Sequence, residues 1–320
     1  MQHRRVGHSG LLVSRLGLGT MTWGSTVDSY EAGDQLTTFL DAGGTLVDTA
    51  PIYGDGACEE LLGSLIAKLG CRDDIVLAGK AGFVRRRGEV VKDGSRGTLL
   101  DQLDRSLREL GTDHLDLWQI HTPDLEVPFD EMLGALEHAV STGRARYVGV
   151  SNFTGWQIGI AHTWLDALPS SVPLVSNQVE YSLVNRDPED EVVPAATHLG
   201  MGLLAWSPLG RGVLTGKYRG GVPSDSRGAT PGWDEFVGAY LTPEKSAVVE
   251  ALARASEGLG VTIAHVALAW LLERPHVSAA IVGARTTSQL QENLASEDLE
   301  LPPEIVQALD DVSDAARLKR

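Results

Sequence analysis

The strongest constraint on this chain is an alternation. A short apolar run followed by a longer segment with helical spacing recurs eight times along 320 residues. The apolar runs are Leu16–Thr20, Thr45–Val47, Ile75–Ala78, Leu115–Ile120, Ala145–Val150, Leu174–Val179, Gly202–Trp206 and Ala279–Val282. Between them, apolar residues return every three or four positions, as at Ala32, Leu36, Phe39 and Leu40, and several of these segments stop at a glycine: Gly43-Gly44, Gly70, Gly111 and Gly143. That spacing and those stops predict helices over Asp28–Asp41, Cys58–Leu69, Thr98–Leu110, Phe129–Ser141, Trp156–Leu168, Asp190–Leu199, Pro243–Leu259, Ile263–Glu273, Thr287–Ala295 and Pro303–Ala315.

The strand segments are continuously apolar rather than alternating, as strands are when both faces are covered. Strand and helix in strict turn mean a parallel sheet. Eight such units close most naturally into an α/β fold of the (β/α)₈ TIM-barrel type, here with an N-terminal β-hairpin over Val6–Ser14 and additional C-terminal helices. A doubly wound open sheet is the competing arrangement. It lacks its usual signature, because Gly17-Leu-Gly19 runs on to Gly24 without the spacing of a dinucleotide fingerprint. No composition shift or linker divides the chain, so residues 1–320 read as a single domain. The segment Pro208–Leu241 is too long for an ordinary connection, and its length and glycines mark a functional loop.

Charge narrows the partners. With 27 basic and 43 acidic residues the formal net charge is -16, a balance that repels nucleic acid and an anionic membrane surface. No run approaches the ~18 apolar residues of a membrane span, and the polar start Met1–Gly10 is no secretory signal. Two cysteines, Cys58 and Cys71, suggest a reducing, cytoplasmic setting rather than a disulfide framework, and their spacing matches no metal site.

Barrel chemistry sits at the C-terminal ends of the strands. Four polar residues fall there or just beyond on successive strands: Asp48, Tyr53, Lys80 and His121. Asp48 and Lys80 can be buried together as an ion pair. An ammonium beside Tyr53 favours the phenolate, so Lys80 is expected to lower the phenol below its usual value of about 10. His121 can hydrogen-bond an oxygen held beside Tyr53. The set would polarise a carbonyl and protonate it. Taken singly, a buried Asp or Lys is more often structural and a Tyr after a turn more often packing.

Two further stretches suit a bound anion. Pro208-Leu-Gly-Arg-Gly-Val-Leu-Thr-Gly-Lys-Tyr218 combines three glycines with Arg211 and Lys217, and exposed backbone N–H groups with cations suit a pyrophosphate. Gly283-Ala-Arg-Thr-Thr-Ser-Gln289 joins the last strand to a helix start, where the helix N-terminus and Arg285 would attract phosphate.

Over essentially its whole length the chain resembles the aldo-keto reductases. The resemblance is carried by Leu16-Gly-Leu-Gly-Thr-Met-Thr-Trp-Gly24, Asp48-Thr-Ala-Pro-Ile-Tyr-Gly54, Leu77-Ala-Gly-Lys80, Asp116-Leu-Trp-Gln-Ile-His121, Gly149-Val-Ser-Asn-Phe153, Asn177-Gln-Val-Glu-Tyr-Ser182, Trp206-Ser-Pro-Leu-Gly210 and Ile281-Val-Gly-Ala-Arg285 through Glu292-Asn293. It implies a (β/α)₈ barrel and hydride transfer between NADPH and a small-molecule aldehyde or ketone, with Tyr53 as proton donor, Lys80 and Asp48 tuning it, and His121 orienting the carbonyl. It further implies that Ser151, Asn152 and Gln178 hold the nicotinamide carboxamide and that Trp206 stacks on the ring. Ser207, Leu209, Arg211, Gly212 and Lys217 would follow the pyrophosphate, and Gly283, Arg285, Gln289, Glu292 and Asn293 the adenosine end. A second role within that superfamily is a cofactor-sensing channel subunit with little turnover. Met21, Trp23 and Phe83, from loops after the first and third strands, are the expected walls of the substrate pocket. Arg85, Arg86 and Arg87 read first as a solvated loop, with recognition of an anionic substrate as the alternative.

Overall fold

The computed structural model describes residues 1–317. An antiparallel hairpin, β1 (His3–Arg5) and β2 (Leu12–Ser14), opens the chain. Then β3 (Leu16–Gly19) leads to α1 (Ser29–Asp41), β4 (Leu46–Asp48) to α2 (Ala57–Leu69), and β5 (Val76–Ala81) to a second hairpin, β6 (Phe83–Arg86) and β7 (Glu89–Lys92), ahead of α3 (Arg96–Leu110). Next come β8 (Leu115–Ile120) with α4 (Phe129–Ser141), β9 (Ala145–Ser151) with α5 (Gly155–Asp166), and β10 (Leu174–Glu180) with α6 (Pro188–His198). The strand β11 (Gly202–Trp206) enters the long loop, which carries the short α7 (Asp234–Gly238), before α8 (Pro243–Leu259) and α9 (Ile263–Leu272). The last strand β12 (Val277–Val282) is followed by α10 (Thr287–Leu294) and α11 (Pro303–Arg317).

Eight of these strands close into one parallel barrel, in the order β3, β4, β5, β8, β9, β10, β11, β12 and back to β3. The expected barrel, leading hairpin and closing helices are present, but the first strand of the hairpin lies at His3–Arg5, before the expected start at Val6, and residues 6–11 form its connection. The hairpin β6–β7 was not anticipated.

Successive side chains on a strand point to opposite faces, so a barrel interior is read at every second residue. The lower interior row is apolar: Leu46, Ala78, Leu117, Leu204 and Ala279 pack with Val6, Leu11 and Val13, which the N-terminal hairpin tucks across the barrel floor. Burying each of those three contributes on the order of 1.5–3 kcal/mol. Two residues further up the same strands the row turns polar, with Asp48, Lys80 and Gln119. The outer core is larger. Leu36 and Phe39 on α1, Leu62 on α2 and Leu99 and Leu103 on α3 pack inward.

Local chemistry fixes the helix ends. The Asp28 side chain accepts from the Tyr30 and Glu31 amides at the start of α1, and Thr242 and Thr262 cap α8 and α9 in the same way. Left-handed glycines close α2, α3 and α8 at Gly70, Gly111 and Gly260. No single helix among the described residues is long and apolar enough to cross a membrane.

Candidate active site

The polar row rises at the C-terminal mouth. Asp48 ends β4, Lys80 is the next-to-last residue of β5, and His121 follows β8. Lys80 Nζ donates to Asp48 Oδ2 at 2.6 Å, to the Thr49 carbonyl at 3.2 Å and to Tyr53 Oη at 3.3 Å. Each of its three hydrogens therefore has an acceptor. Gln178 Nε2 donates to the other Asp48 oxygen at 2.8 Å. Asp48 and Lys80 are 3% and 1% exposed, and removing one would strand the other's charge in the interior.

Charge states follow from these contacts. Burial pulls the Lys80 ammonium down, but Asp48 and then Tyr53 outweigh it, and its pKa is raised. Lys80 is a fixed cation with no lone pair for nucleophilic attack. The expectation for Tyr53 needs correcting. Lys80 does pull the phenol down, but burial is the larger effect and the net direction is up. Tyr53 therefore holds its proton at neutral pH. His121 is pushed well below the ordinary histidine value, first by burial and then by the Lys80 charge. It is a neutral imidazole with one N–H to donate. The Tyr53 and Phe83 rings both meet it edge-on, with centroids at 6.0 and 4.8 Å. Phe83, expected as a pocket wall, thus lies beside His121.

Beside this group the structure brings Ser151, Asn152, Gln178 and Trp206 together. Ser151 Oγ donates to the Gln178 carbonyl at 2.7 Å, and Asn152 Nδ2 to the His121 carbonyl at 3.0 Å and to Ser151 Oγ at 3.1 Å. Trp206 Nε1 donates to Asn152 Oδ1 at 3.0 Å, which fixes the indole at the mouth. Asn152 takes a φ of 62° to do this, a strained conformation of the kind that gathers at functional sites. Gln178 Nε2 spends one of its two hydrogens on Asp48, so the other hydrogen and the side-chain oxygen are left for a ligand.

The long loop divides the predictions. Ser207, Gly210, Arg211 and Gly212 have φ of 50, 54, 58 and 93°, but the Gly210 and Gly212 amides already donate to the Ser207 and Leu209 carbonyls at 2.8 and 3.0 Å, so these turns are closed on themselves. Leu209 packs partly buried against the core, and Lys217 is exposed with no carboxylate at salt-bridge distance among the described residues. The Arg211 guanidinium does something else. It is forked onto Glu180 at 2.7 and 2.5 Å, donates to the Phe236 carbonyl at 2.6 Å, and lies over the Phe236 and Tyr240 rings. It anchors the loop and is not free to hold a phosphate. Glu180 is 31 positions away in sequence, which is why the cation read as available.

At the adenosine end, Gly283 and Arg285 are exposed, and Gln289 Oε1 accepts from the Arg285 amide at 3.0 Å. Glu292 faces outward, while Asn293 is buried. The helix N-terminus expected to attract phosphate is already occupied: Glu31 accepts from both the amide and the hydroxyl of Thr287 at the start of α10, and Thr287 lowers its pKa. The remaining attraction for an anion comes from arginines. Arg285 Nη1 reaches across to the Asp225 carbonyl at 3.0 Å. Arg227, not singled out in the sequence, is lowered by burial and then by the charge of Arg285. Neither has a carboxylate at salt-bridge distance among the described residues. Two cations that repel one another, without a carboxylate partner, fit an anionic ligand such as a phosphate.

Of the other pocket residues, Met21 lies exposed after β3. Trp23 does not belong to the pocket. It is fully buried and donates its indole N–H to Gln35 at 3.1 Å, so it is a core residue. The arginine run forms the tip of β6–β7. Arg85 pairs with Asp55 at 2.7 Å and Arg86 with Asp93, leaving Arg87 at the turn with a φ of 52°.

Residues 15–314 match the sequence profile of the aldo/keto reductase family. The chain belongs to this family. Among its relatives, a probable voltage-gated potassium channel subunit beta of Arabidopsis thaliana is 37% identical over 303 residues, covering 93% of this chain and 92% of that one. An uncharacterized oxidoreductase, YrpG, of Bacillus subtilis is 36% identical over 321 residues, covering 98% and 96%. The aldo-keto reductase YhdN of the same organism is 32% identical over 302 residues, covering 91% and 87%. An aldo-keto reductase barrel places its chemistry at the strand ends, where Asp48, Tyr53, Lys80 and His121 converge here.

Proposed function

We propose that this aldo-keto reductase is an NADP(H)-dependent oxidoreductase that interconverts an aldehyde or ketone with its alcohol. The observation that carries this reading is the 3.3 Å contact between a buried, acid-paired ammonium at Lys80 and the Tyr53 hydroxyl, beside a neutral His121. Bound NADPH would supply the hydride to the carbonyl carbon. Tyr53 gives its proton to the carbonyl oxygen, and Lys80 stabilises the phenolate left behind. Asp48 and Gln178 hold Lys80 and its counter-charge in place. His121 donates its N–H to the same oxygen and so fixes the carbonyl relative to Tyr53. Trp206 would lie against the nicotinamide, with Ser151, Asn152 and the Gln178 amide at its carboxamide. The Ser207–Gly212 turns would follow the pyrophosphate, and Arg285 with Arg227 the adenosine phosphate. Phe83 and Met21 would line the substrate side. A cytoplasmic setting suits the two free, buried cysteines.

Tyr53→Phe tests the assignment. Turnover should fall roughly 10²- to 10⁴-fold, the usual weight of a general acid, while NADPH affinity from fluorescence quenching stays within about twofold. Retention of most of the activity would remove Tyr53 from the mechanism.

A second reading has its own support, since two relatives carry the name of a potassium channel β subunit. In it the chain senses cofactor on behalf of a membrane partner. A broad carbonyl panel without turnover, together with stoichiometric co-purification of a channel, would favour that role over the enzymatic one.

A further inference from the structure

Tyr53 is held in place by something other than its own strand. It begins a single turn, Tyr53–Gly56, in which Gly54, Asp55 and Gly56 have φ of 57, 56 and 103°. The two glycines take this conformation without strain, but Asp55 is held in it by its surroundings. Those surroundings come largely from the outer helix α3. Arg105 Nη2 donates to the Asp55 carbonyl at 2.8 Å, while its Nε is held by Glu109 at 2.6 Å. The same Nη2 lies 2.0 Å from where a Cβ on Gly56 would sit, so the guanidinium takes the space that this glycine leaves.

We infer that Arg105 is a positioning residue for Tyr53, seating the left-handed turn that carries the phenol against Lys80. This rests on the reading of Tyr53 as proton donor.

The next residue gives the seat a second point. Ser106 Oγ donates to Glu59 Oε2 at 2.9 Å, in the first turn of α2 and directly beyond the Tyr53 turn. The two helices are held at close range, because a Cβ on Gly63 would meet the Glu109 carbonyl at 2.3 Å. From above, Arg85 Nε holds the Asp55 carboxylate at 2.7 Å. The plainer account of Arg105 is a surface helix pair with Glu109, four residues on. That account leaves the bond to Asp55 and the filled space under Gly56 without a role. The Arg105 side chain is 43% exposed, so its loss should disturb the turn more than the fold.

Arg105→Met keeps the aliphatic stem and removes the guanidinium. A displaced Tyr53 should lower kcat roughly ten- to a hundredfold, with NADPH affinity within about twofold of wild type. Hydrogen exchange should accelerate in peptides covering residues 53–57 and not in those from the end of α2. Methylguanidine should restore part of the lost kcat to Arg105→Ala and do nothing for Tyr53→Phe. Wild-type kcat with unchanged exchange over 53–57 overturns the inference, as does a kcat loss matched by an equal loss of NADPH affinity. If the wild-type protein turns over no carbonyl, the reductase reading fails by itself. Exchange over 53–57 in Arg105→Met then decides the seat alone, and unchanged rates overturn it.

Discussion

Glu59 allows a prediction with its sign and size worked out. The side chain is fully buried at the start of α2, one oxygen accepts from Ser106, and the other has no hydrogen-bond partner. Burial, opposed by the Ser106 bond and reinforced by Glu109, raises its pKa from 4.5 to about 7. In the unfolded chain it titrates near 4.5. Between those values the folded state keeps a proton that the unfolded state gives up. The stability present below pH 4.5 is therefore lost as the pH rises toward 7, and the deficit is constant above that. A shift of this size corresponds to about 3 kcal/mol at 1.36 kcal/mol per unit. Glu59→Gln removes the ionisation and keeps an acceptor for Ser106. The variant should match wild type at pH 4.5, gain stability progressively through pH 6, and be more stable by about 2–3 kcal/mol at pH 8. Thermal melts of both proteins across that range measure the difference. A difference that is independent of pH, or largest at low pH, would refute the reasoning.

Other perturbations have equally direct readouts. Lys80→Met leaves the buried Asp48 carboxylate facing Gln178 alone and should cost roughly 3–5 kcal/mol as well as turnover. Adding Asp48→Asn should restore much of the stability and none of the activity, and equal losses in single and double variants would contradict a coupled pair. Arg285→Ala and Arg227→Ala should each raise the NADPH dissociation constant about tenfold, the weight of one charge-assisted contact. NADH should be nearly unaffected, and equal losses for both cofactors would place the arginines elsewhere. Arg211→Ala frees the loop from Glu180, so limited proteolysis within 208–241 should quicken and NADPH affinity should fall with it. A large loss of affinity with no change in proteolysis would return Arg211 to the phosphates.

What was legible in the sequence was whatever period and local order can encode. The eight strands announced themselves as continuous apolar runs, and the residues just beyond Val47, Ala78 and Ile120 fell at one mouth because parallel strands share a direction. The ion pair of Asp48 with Lys80 could be inferred from charge and burial alone. The errors have a common cause, which is partners distant in sequence. Trp23 looked like a pocket wall because Gln35, which takes its N–H, sits on the following helix. Arg211 looked free because Glu180 ends another strand. The start of α10 looked ready for phosphate because Glu31, which caps it, lies 256 positions earlier. Tyr53 was assigned a lowered pKa because a neighbouring cation is visible in sequence and the degree of enclosure is not. The hairpin β6–β7 did leave a signal, Arg87-Gly88 set between Val84 and Val90-Val91, with both turn residues at positive φ. The three arginines mask it, because a run of like charges reads first as a solvated loop.

In the proposed reaction, hydride passes directly from NADPH to a carbonyl carbon held at the mouth built from Asp48, Tyr53, Lys80 and His121. Reduction of a turned-over aldehyde or ketone with NADPH deuterated at C4 of the nicotinamide, on the transferred face, tests it most directly by mass spectrometry of the alcohol. One deuterium retained on the carbinol carbon, with none lost to water and product from Tyr53→Phe slowed roughly 10²- to 10⁴-fold, is the predicted result. Deuterium exchanged into solvent, or undiminished labelled product from Tyr53→Phe, would contradict it.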